Sequence, residues 1–303
     1  MTVLLYPSTA IPALQVQGSP EAALSVPEYQ AKIFKALHRN KTENSFPGSI
    51  MMKTLVQQFN AIEQASIFLV DQIVSIAKSA VLDKGFCTIV LAGGRTPQQA
   101  YELLSLPSKA EQMPWQQSHF FWSDERWLAS THQDSNFSMA HEALFSKVHI
   151  PPQNIHQIST EHQDPEIGTE MYEKHLRDFF HSKSLTETTR ISENITFPNF
   201  DLILLGMGTD GHTASLFPGS NFLAEKEKWV AAVKEKTGSP PVPRITLTLP
   251  VLNQAKNILF LLSGNKKREI LDTILNKPEK ALVYPAAHVK PRGNLVWIVA
   301  EKD

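Results

Sequence analysis

The chain has 303 residues, of which 42% are hydrophobic and 19% are charged, and its formal net charge at pH 7 is −1. This composition is typical of a soluble globular enzyme, and the near-neutral charge excludes a strong global attraction to nucleic acid or to anionic membranes. Cys87 is the only cysteine, which excludes an intrachain disulfide and any metal site built from several cysteines.

The N-terminal part of the chain differs from the rest. Residues 1–50 contain five prolines and show little hydrophobic periodicity, which predicts an N-terminal extension that is partly ordered at best. Residues 51–303 are predicted to form a single domain. Neither a secretory signal nor an apolar stretch of membrane-spanning length is predicted, so we expect a cytoplasmic protein without a membrane partner.

Beyond residue 51, apolar runs typical of buried strands alternate with segments of helical periodicity. Strands are predicted at residues 52–59, 87–91, 119–122, 155–158, 200–205, 229–233, 244–249, 257–262 and 295–299. Helices are predicted at residues 60–84, 97–104, 136–148, 165–181 and 264–275, and residues 182–199 are predicted to form a polar loop. The alternation predicts one doubly wound α/β domain, with a mostly parallel sheet and helices on both faces.

A first candidate site follows the predicted strand at residues 87–91, where the chain continues with Gly93, Gly94, Arg95, Thr96 and Pro97. Thr96 suits the N-cap of a helix, and Pro97 suits its first position. Free backbone amides and the helix dipole at such a terminus can bind phosphate, and Arg95 adds positive charge. The alternative is a plain strand-to-helix turn, which this pattern alone does not exclude.

Charged residues follow the next predicted strand, at residues 119–122. Asp124, Glu125 and Arg126 stand at its C-terminal end, which indicates a site, although an exposed ionic loop is the common alternative. Arg244 begins a later strand, and Lys267 lies near the start of the helix at residues 264–275. The alternative for both is a solvated position.

The most informative stretch is residues 200–220, in which an apolar strand is followed by a glycine-rich turn and then His212. Open α/β sheets bind ligands at the carboxyl ends of their strands, and an unperturbed histidine titrates near neutrality, so His212 is a candidate general base. Residues 213–216 could open a helix, and in the alternative interpretation His212 only caps that helix. A dinucleotide-binding fingerprint is rejected, because no second strand precedes the acidic residues about 20 positions further on.

Together, these stretches resemble the 6-phosphogluconolactonase family. The resemblance rests on AGGRTP at residues 92–97, WSDERW at 122–127, DSNFSMAHEALF at 134–145, FDLILLGMGTDGHTASLFPG at 200–219, RITLTLP at 244–250 and YPAAHVKP at 284–291. Their order and spacing fit over roughly residues 52–301, and DGHTASLFPG is the specific motif. Arg95 is a departure, because the family often has a serine there.

The resemblance implies a Rossmann-like sheet in a catalytic domain at residues 51–303. It also implies a hydrolase of carbohydrate metabolism that converts 6-phospho-D-glucono-1,5-lactone to 6-phosphogluconate in the oxidative pentose phosphate pathway. The expected partner is a small phosphorylated sugar lactone, and no metal, other cofactor or nucleic acid is expected. The protein is expected to be a monomer or a small homo-oligomer.

Lactone opening requires activation of water, stabilisation of a tetrahedral oxyanion and protonation of the departing ring oxygen. We assign His212 as the general base, and either Asp210 or Asp124 as the residue that orients it. The amides of Gly208 and Gly211 are candidates for contacts to substrate oxygens. The residues assigned to the phosphate are Gly93, Gly94, Arg95 and Thr96, with Arg126, Arg244 and Lys267 as further anion partners.

Two other functions stay open at this point. One is a sugar-phosphate isomerase resembling glucosamine-6-phosphate deaminase, in which His212 would assist ring opening. The other is a non-catalytic sugar-phosphate sensor that has kept the pocket.

Overall fold

The computed structural model describes residues 3–5, 53–183, 187–192, 195–235 and 238–302. These residues belong to one of the two units into which the chain divides, Met1–Pro7 together with Met52–Asp303. The second unit, Ser8–Met51, lies outside the described residues, and so does most of the predicted extension. Val3–Leu5 forms a strand, and the division at residue 50 stays a prediction.

Strands and helices alternate along the described residues. The strands are β1 (Val3–Leu5), β2 (Lys53–Ala61), β3 (Cys87–Leu91), β4 (Ser118–Trp122), β5 (Asp124–Arg126), β6 (Thr188–Arg190), β7 (Thr196–Pro198), β8 (Leu202–Leu205), β9 (Val230–Val233), β10 (Arg244–Leu247), β11 (Asn257–Ser263) and β12 (Asn294–Lys302). The helices are α1 (Ile62–Lys84), α2 (Arg95–Ser105), α3 (Pro107–Ala110), α4 (Asn136–Ala143), α5 (Pro165–Lys183), α6 (Leu249–Asn253), α7 (Asn265–Asn276) and α8 (Pro278–Ala281).

The main sheet has the strand order β1-β2-β12-β11-β8-β3-β4, and all its neighbouring strands are parallel. β3 and β8 are buried along their whole length, as strands are when both faces of a sheet are covered. α1 packs against β2, β3, β11 and β12, and Phe179 and Phe180 of α5 pack on Phe121 of β4. The fold is therefore the predicted α/β architecture, with a parallel sheet and helices on both faces.

The order of strands in the sheet reverses between β3 and β8. β4 follows β3 toward one edge, whereas β11 and β12 follow β8 toward the other. Ligands of doubly wound sheets bind at such a reversal, outside the carboxyl ends of the strands. A second, antiparallel sheet with the order β5-β10-β9 begins two residues after the end of β4, and its register places Arg126 opposite Arg244.

Two predictions of local structure beside this reversal are wrong. α2 begins at Arg95 directly after Gly94, which has a φ of 104°, so Gly94 and not Thr96 is the N-cap. Residues 213–216 form a tight turn rather than a helix start: the N–H of Leu216 donates to the Thr213 carbonyl at 2.9 Å, and residue 214 has a φ of 47°. A left-handed residue does not propagate a right-handed helix, which is why the predicted helix is not formed.

Three further predictions differ from the structure. Residues 155–158 make only one isolated bridge, between Phe120 and Ile155, instead of a strand. The predicted loop at residues 182–199 contains the antiparallel pair β6 and β7. α1 is, by length and composition, apolar enough to cross a membrane, contrary to our expectation. Leu69 and Ile73 of this helix are each 1% exposed, because its apolar face packs on the sheet.

A network of four charged residues joins the amino ends of three central strands, at the edge opposite the reversal. Lys84 at the end of α1 contacts Glu187 and lies 2.9 Å from Asp201, and Lys256 lies 3.1 Å from Asp201 and 3.5 Å from Glu187. Asp201 also accepts hydrogen bonds from the N–H and the hydroxyl of Thr88, at 2.9 and 3.0 Å. The network therefore connects α1 and β3 to the starts of β8 and β11.

Three histidines form a hydrogen-bonded chain beside β4. His156 lies 3.1 Å from His119 and 2.7 Å from His175, measured between ring nitrogens. Burial, reinforced by His175, His119 and Lys183, lowers the pKa of His156 to about 3. Burial and the charge of Lys183 lower the pKa of His119 to about 4. Both rings are therefore neutral in the folded protein at neutral pH.

We expect the histidine chain to make stability fall in mild acid. The pKa of His156 is lowered from an ordinary 6.5, so its contribution to stability is complete above pH 6.5 and is lost as the pH falls toward the folded value. Between pH 7 and pH 5 the loss from His156 should be about 1–2 kcal/mol in the free energy of unfolding. Urea unfolding at several pH values measures it. His156→Phe should flatten this dependence and His149→Phe, at an exposed position, should not; an unchanged slope in His156→Phe would contradict the assignment.

Candidate active site

A cavity of about 300 Å³ lies at the carboxyl edge of the sheet, where the strand order reverses. Loops that follow β3, β4 and β8 form most of it, and β10, β11 and α7 complete it. Its lining residues are Ala92, Gly93, Gly94, Arg95, Thr96, Pro97, Ser123, Asp124, Arg126, Asn136, Gly206, Met207, Gly208, His212, Ala214, Arg244, Leu261 and Lys267. A cavity of this size can enclose a small ligand such as a single sugar phosphate.

Ten of the twelve residues that the sequence assigns to the site line this cavity. They are His212, Asp124, Gly93, Gly94, Arg95, Thr96, Arg126, Gly208, Arg244 and Lys267. The other two, Asp210 and Gly211, stand in the turn that carries His212.

The turn after β8 presents His212 together with a carboxylate partner. Nδ1 of His212 lies 2.6 Å from Oδ1 of Asp210, and the same oxygen accepts the backbone N–H of His212 at 3.1 Å. Burial raises the pKa of Asp210, but the charge of His212 and the hydrogen bonds from it outweigh burial and lower this pKa overall. Asp210 is therefore an ionised acceptor for the imidazole, and the structure places Asp210, not Asp124, beside His212.

Gly208 lies against the imidazole of His212 and leaves space for it because it has no side chain. A Cβ atom at Gly208 would lie 2.2 Å from both Nδ1 and Cε1 of His212, so a side chain there would displace the imidazole. The N–H of Gly208 donates to the His212 carbonyl at 2.9 Å, and the N–H of Gly211 donates to the Gly208 carbonyl at 3.1 Å. Both amides are thus engaged within the turn, which differs from the predicted contacts to substrate oxygens.

Asp124 lies in the wall of the cavity and is 6% exposed. Its Oδ2 accepts a 2.6 Å hydrogen bond from the hydroxyl of Ser215, and its Oδ1 accepts one from Ser123 at 3.2 Å. Nη1 of Arg244 lies 3.9 Å from the same carboxylate. Asp124 is therefore held by two hydroxyls and one cation, and its position suits the orientation of Arg244.

The guanidinium groups of Arg126 and Arg244, on the paired strands β5 and β10, both line the cavity. Arg126 donates to the Asp134 carbonyl at 2.7 Å, and Arg244 donates to the Pro240 carbonyl at 3.1 Å. Burial and the nearby Arg126 lower the pKa of Arg244, against the opposing effect of Asp124. Among the described residues, the buried Nε of each arginine has no hydrogen-bond partner. Two neighbouring guanidinium groups that line one cavity suit the binding of an oxyanion.

Arg244 and His212 also share a neighbour. The ring of Phe217 lies 4.7 Å from the imidazole of His212 and 5.7 Å from the guanidinium of Arg244, measured to ring centroids. The positive charge of Arg244 is therefore close to His212, the candidate base.

A second cationic region lies at the rim of the cavity. Arg95 and Thr96 occupy the first turn of α2, and Lys267 occupies the first turn of α7. Each helix follows a glycine with positive φ, Gly94 at 104° and Gly264 at 94°. Two helix N-termini and two cations at one rim favour a phosphate there.

Glu125 has a different function from the one suggested by its place among charged residues. Its carboxylate accepts hydrogen bonds from the backbone N–H groups of Arg126, Asn136 and Phe137 and from the hydroxyl of Ser135, at 2.7 to 3.0 Å. Burial raises its pKa in spite of these four bonds. Glu125 therefore anchors the start of α4 and does not line the cavity.

Asn136 is the main polar residue of the cavity that the sequence analysis did not assign to the site. Its amide donates to the Asp124 carbonyl at 2.8 Å, and its buried Oδ1 has no partner among the described residues. A Cβ at Gly93 would lie 1.9 Å from this oxygen, so glycine is required there. The motif at residues 134–145 contained the signal, but a helix start explained Asn136 equally well.

Comparison with known proteins identifies the family of this chain. A family model described as glucosamine-6-phosphate isomerases/6-phosphogluconolactonase matches residues 61–297. The 6-phosphogluconolactonase of Synechocystis sp. is 39% identical over 74% of this chain and 85% of its own length, and that of Nostoc sp. is 37% identical over 76% and 88%. The crystal structure of 6-phosphogluconolactonase from Thermotoga maritima superposes with a TM-score of 0.68 and 34% identity, covering 82% of this chain and 100% of that one. The chain therefore belongs to the glucosamine-6-phosphate isomerase/6-phosphogluconolactonase family.

Proposed function

We propose that this enzyme hydrolyses 6-phospho-D-glucono-1,5-lactone to 6-phosphogluconate, a step of the oxidative pentose phosphate pathway. The observation that carries the proposal is the His212–Asp210 pair in a cavity with two separate cationic regions. One region matches the phosphate of this substrate, and the other matches the negative charge that develops at the lactone carbonyl. The relatives named above are lactonases, which supports this reaction over deamination.

The phosphate binds at the rim of the cavity. The free amides of the first turn of α2, the hydroxyl of Thr96 and the cations of Arg95 and Lys267 surround it. The phosphate does not change during the reaction, so this contact binds the substrate and the transition state equally. It also orients the sugar ring toward His212.

His212 activates the water that attacks C1. The tautomer that donates Nδ1–H to Asp210 leaves the lone pair on Nε2, which takes one proton from water while the oxygen bonds to C1. The carbonyl electrons move onto the exocyclic oxygen, whose charge is stabilised by Arg126 and Arg244. The C1–ring oxygen bond then breaks, and the imidazolium returns its proton to the ring oxygen. The product forms with a carboxylic acid at C1 and a hydroxyl at C5, and the acid then releases its proton to water to give the carboxylate.

The wild-type enzyme should accelerate opening of freshly generated 6-phosphogluconolactone above the spontaneous rate in the same buffer. Coupling the product to 6-phosphogluconate dehydrogenase measures this excess rate, which should persist in the presence of a chelator. Release of ammonia from glucosamine 6-phosphate without acceleration of lactone opening would instead assign the protein to the deaminases. Binding of sugar phosphates without either reaction would make it a sensor.

The remaining expectations about the protein's setting stay predictions. They are the cytoplasmic location, the monomeric or small homo-oligomeric state, the independence from metal and the lack of nucleic-acid and membrane partners.

A further inference from the structure

Two buried tyrosines make the same unusual contact at the ends of two adjacent strands. The Tyr101 hydroxyl accepts the N–H of Ala92 at 3.0 Å and donates to the carbonyl of the same residue at 2.9 Å. The Tyr172 hydroxyl accepts the N–H of Trp122 at 3.2 Å and lies 3.4 Å from its carbonyl. A phenolic hydroxyl can donate one hydrogen bond and accept another, so each tyrosine can satisfy both the N–H and the carbonyl of one residue.

Both contacts lie where a strand leaves the sheet and enters the active site. Ala92 follows the last residue of β3 and precedes Gly93 and Gly94 of the rim. Trp122 is the last residue of β4, the edge strand of the main sheet, and it precedes the segment that carries Asp124 and Arg126. At these points the tyrosine hydroxyls supply the backbone hydrogen bonds that a neighbouring strand would otherwise supply.

The side chains come from different helices and are held firmly. Tyr101 belongs to α2 and is 0% exposed, and Tyr172 belongs to α5 and is 3% exposed. Burial raises the pKa of both phenols, so each hydroxyl keeps its proton and remains a donor. Without the hydroxyls, two backbone groups at each strand end would be buried without partners, a state that proteins avoid.

We propose that Tyr101 and Tyr172 are positioning residues that set the two cationic regions of the cavity separately. Tyr101 fixes the direction of the turn that leads to Gly93, Gly94 and Arg95, and so controls phosphate binding. Tyr172 fixes the direction of the segment that carries Asp124 and Arg126, and so controls stabilisation of the oxyanion. This inference rests on the proposed lactonase function for its kinetic part.

The test uses Tyr101→Phe and Tyr172→Phe, which keep the buried rings and remove only the hydroxyls. Tyr101→Phe should raise KM for the lactone and weaken calorimetric binding of 6-phosphogluconate by about 5- to 10-fold, with kcat little changed. Tyr172→Phe should lower kcat by about 5- to 10-fold, with a smaller change in KM. Each variant is the control for the other, because both lose one hydroxyl from a fully buried phenol.

Amide hydrogen exchange provides a readout that does not depend on activity. Tyr101→Phe should speed exchange in residues 92–96 and leave residues 122–126 unchanged, and Tyr172→Phe should do the reverse. If the wild type proves not to be a lactonase, this crossed pattern still tests the positioning role. Folded variants with lower melting temperatures but no crossed pattern in kinetics or exchange would show that the tyrosines are only structural, and the proposal would be overturned.

Discussion

Replacing His212 with asparagine should lower the excess rate of lactone opening by about 100- to 10,000-fold, the range over which a general base usually contributes. Asparagine keeps a polar group next to Asp210 but cannot accept and return a proton at neutral pH. The proposed phosphate contacts lie on α2 and α7, so KM and the affinity for 6-phosphogluconate should change much less than kcat. The coupled assay and calorimetry separate these quantities.

The matched control is His149→Asn, at an exposed histidine outside the cavity, which should retain the wild-type rate. A His212→Asn enzyme with a near wild-type excess rate would transfer the role of base to another group.

Replacing Asp201 with alanine should destabilise the fold by about 3–5 kcal/mol, because breaking a buried ion pair leaves its partner charge uncompensated. The Asp201 side chain is 3% exposed, and it binds Lys84, Lys256 and both donors of Thr88. Its removal also leaves the buried N–H of Thr88 without an acceptor at the start of β3. The free energy of unfolding, measured in urea, reports the loss.

Asp272→Ala is the matched control. Asp272 is paired with Lys277 at 4.0 Å, but its side chain is 59% exposed, and such surface pairs contribute about 0–1 kcal/mol. Similar losses in both variants would show that the network at the amino edge of the sheet adds nothing beyond ordinary surface charge. Because the network lies opposite the cavity, folded Asp201→Ala protein should keep the wild-type KM.

The sequence predicted the features that depend on short-range patterns. Continuous apolar runs identify β3 and β8, since strands buried on both faces need no polar positions. The turn after β8 contains both members of the His212–Asp210 pair, so it could be located before the fold was known. The choice between Asp210 and Asp124 could not be made, because it depends on the side-chain directions within that turn.

The features that were missed depend on contacts distant in sequence. Arg126 and Arg244 become neighbours only through the register of β5 with β10, which no local pattern reveals. Asn136 enters the cavity because Glu125 anchors the start of α4 and Gly93 has no side chain. The helix predicted after His212 is absent for a local reason. The residue at position 214 has a left-handed backbone conformation, which overrides the ordinary helical propensity of this stretch.

The topology of the sheet also has a consequence for how the chain acquires its structure. β2 is the first long strand, yet its extensive partner is β12, the last strand of the domain, with Lys53 opposite Asn294 and Phe59 opposite Ala300. Contacts between residues so far apart in the chain form slowly, whereas β3 and β4 can pair soon after they are made. During synthesis, β2 therefore lacks this partner until β12 has been made, although the apolar face of α1 can already pack on β3. The nascent chain is most vulnerable to aggregation in this interval.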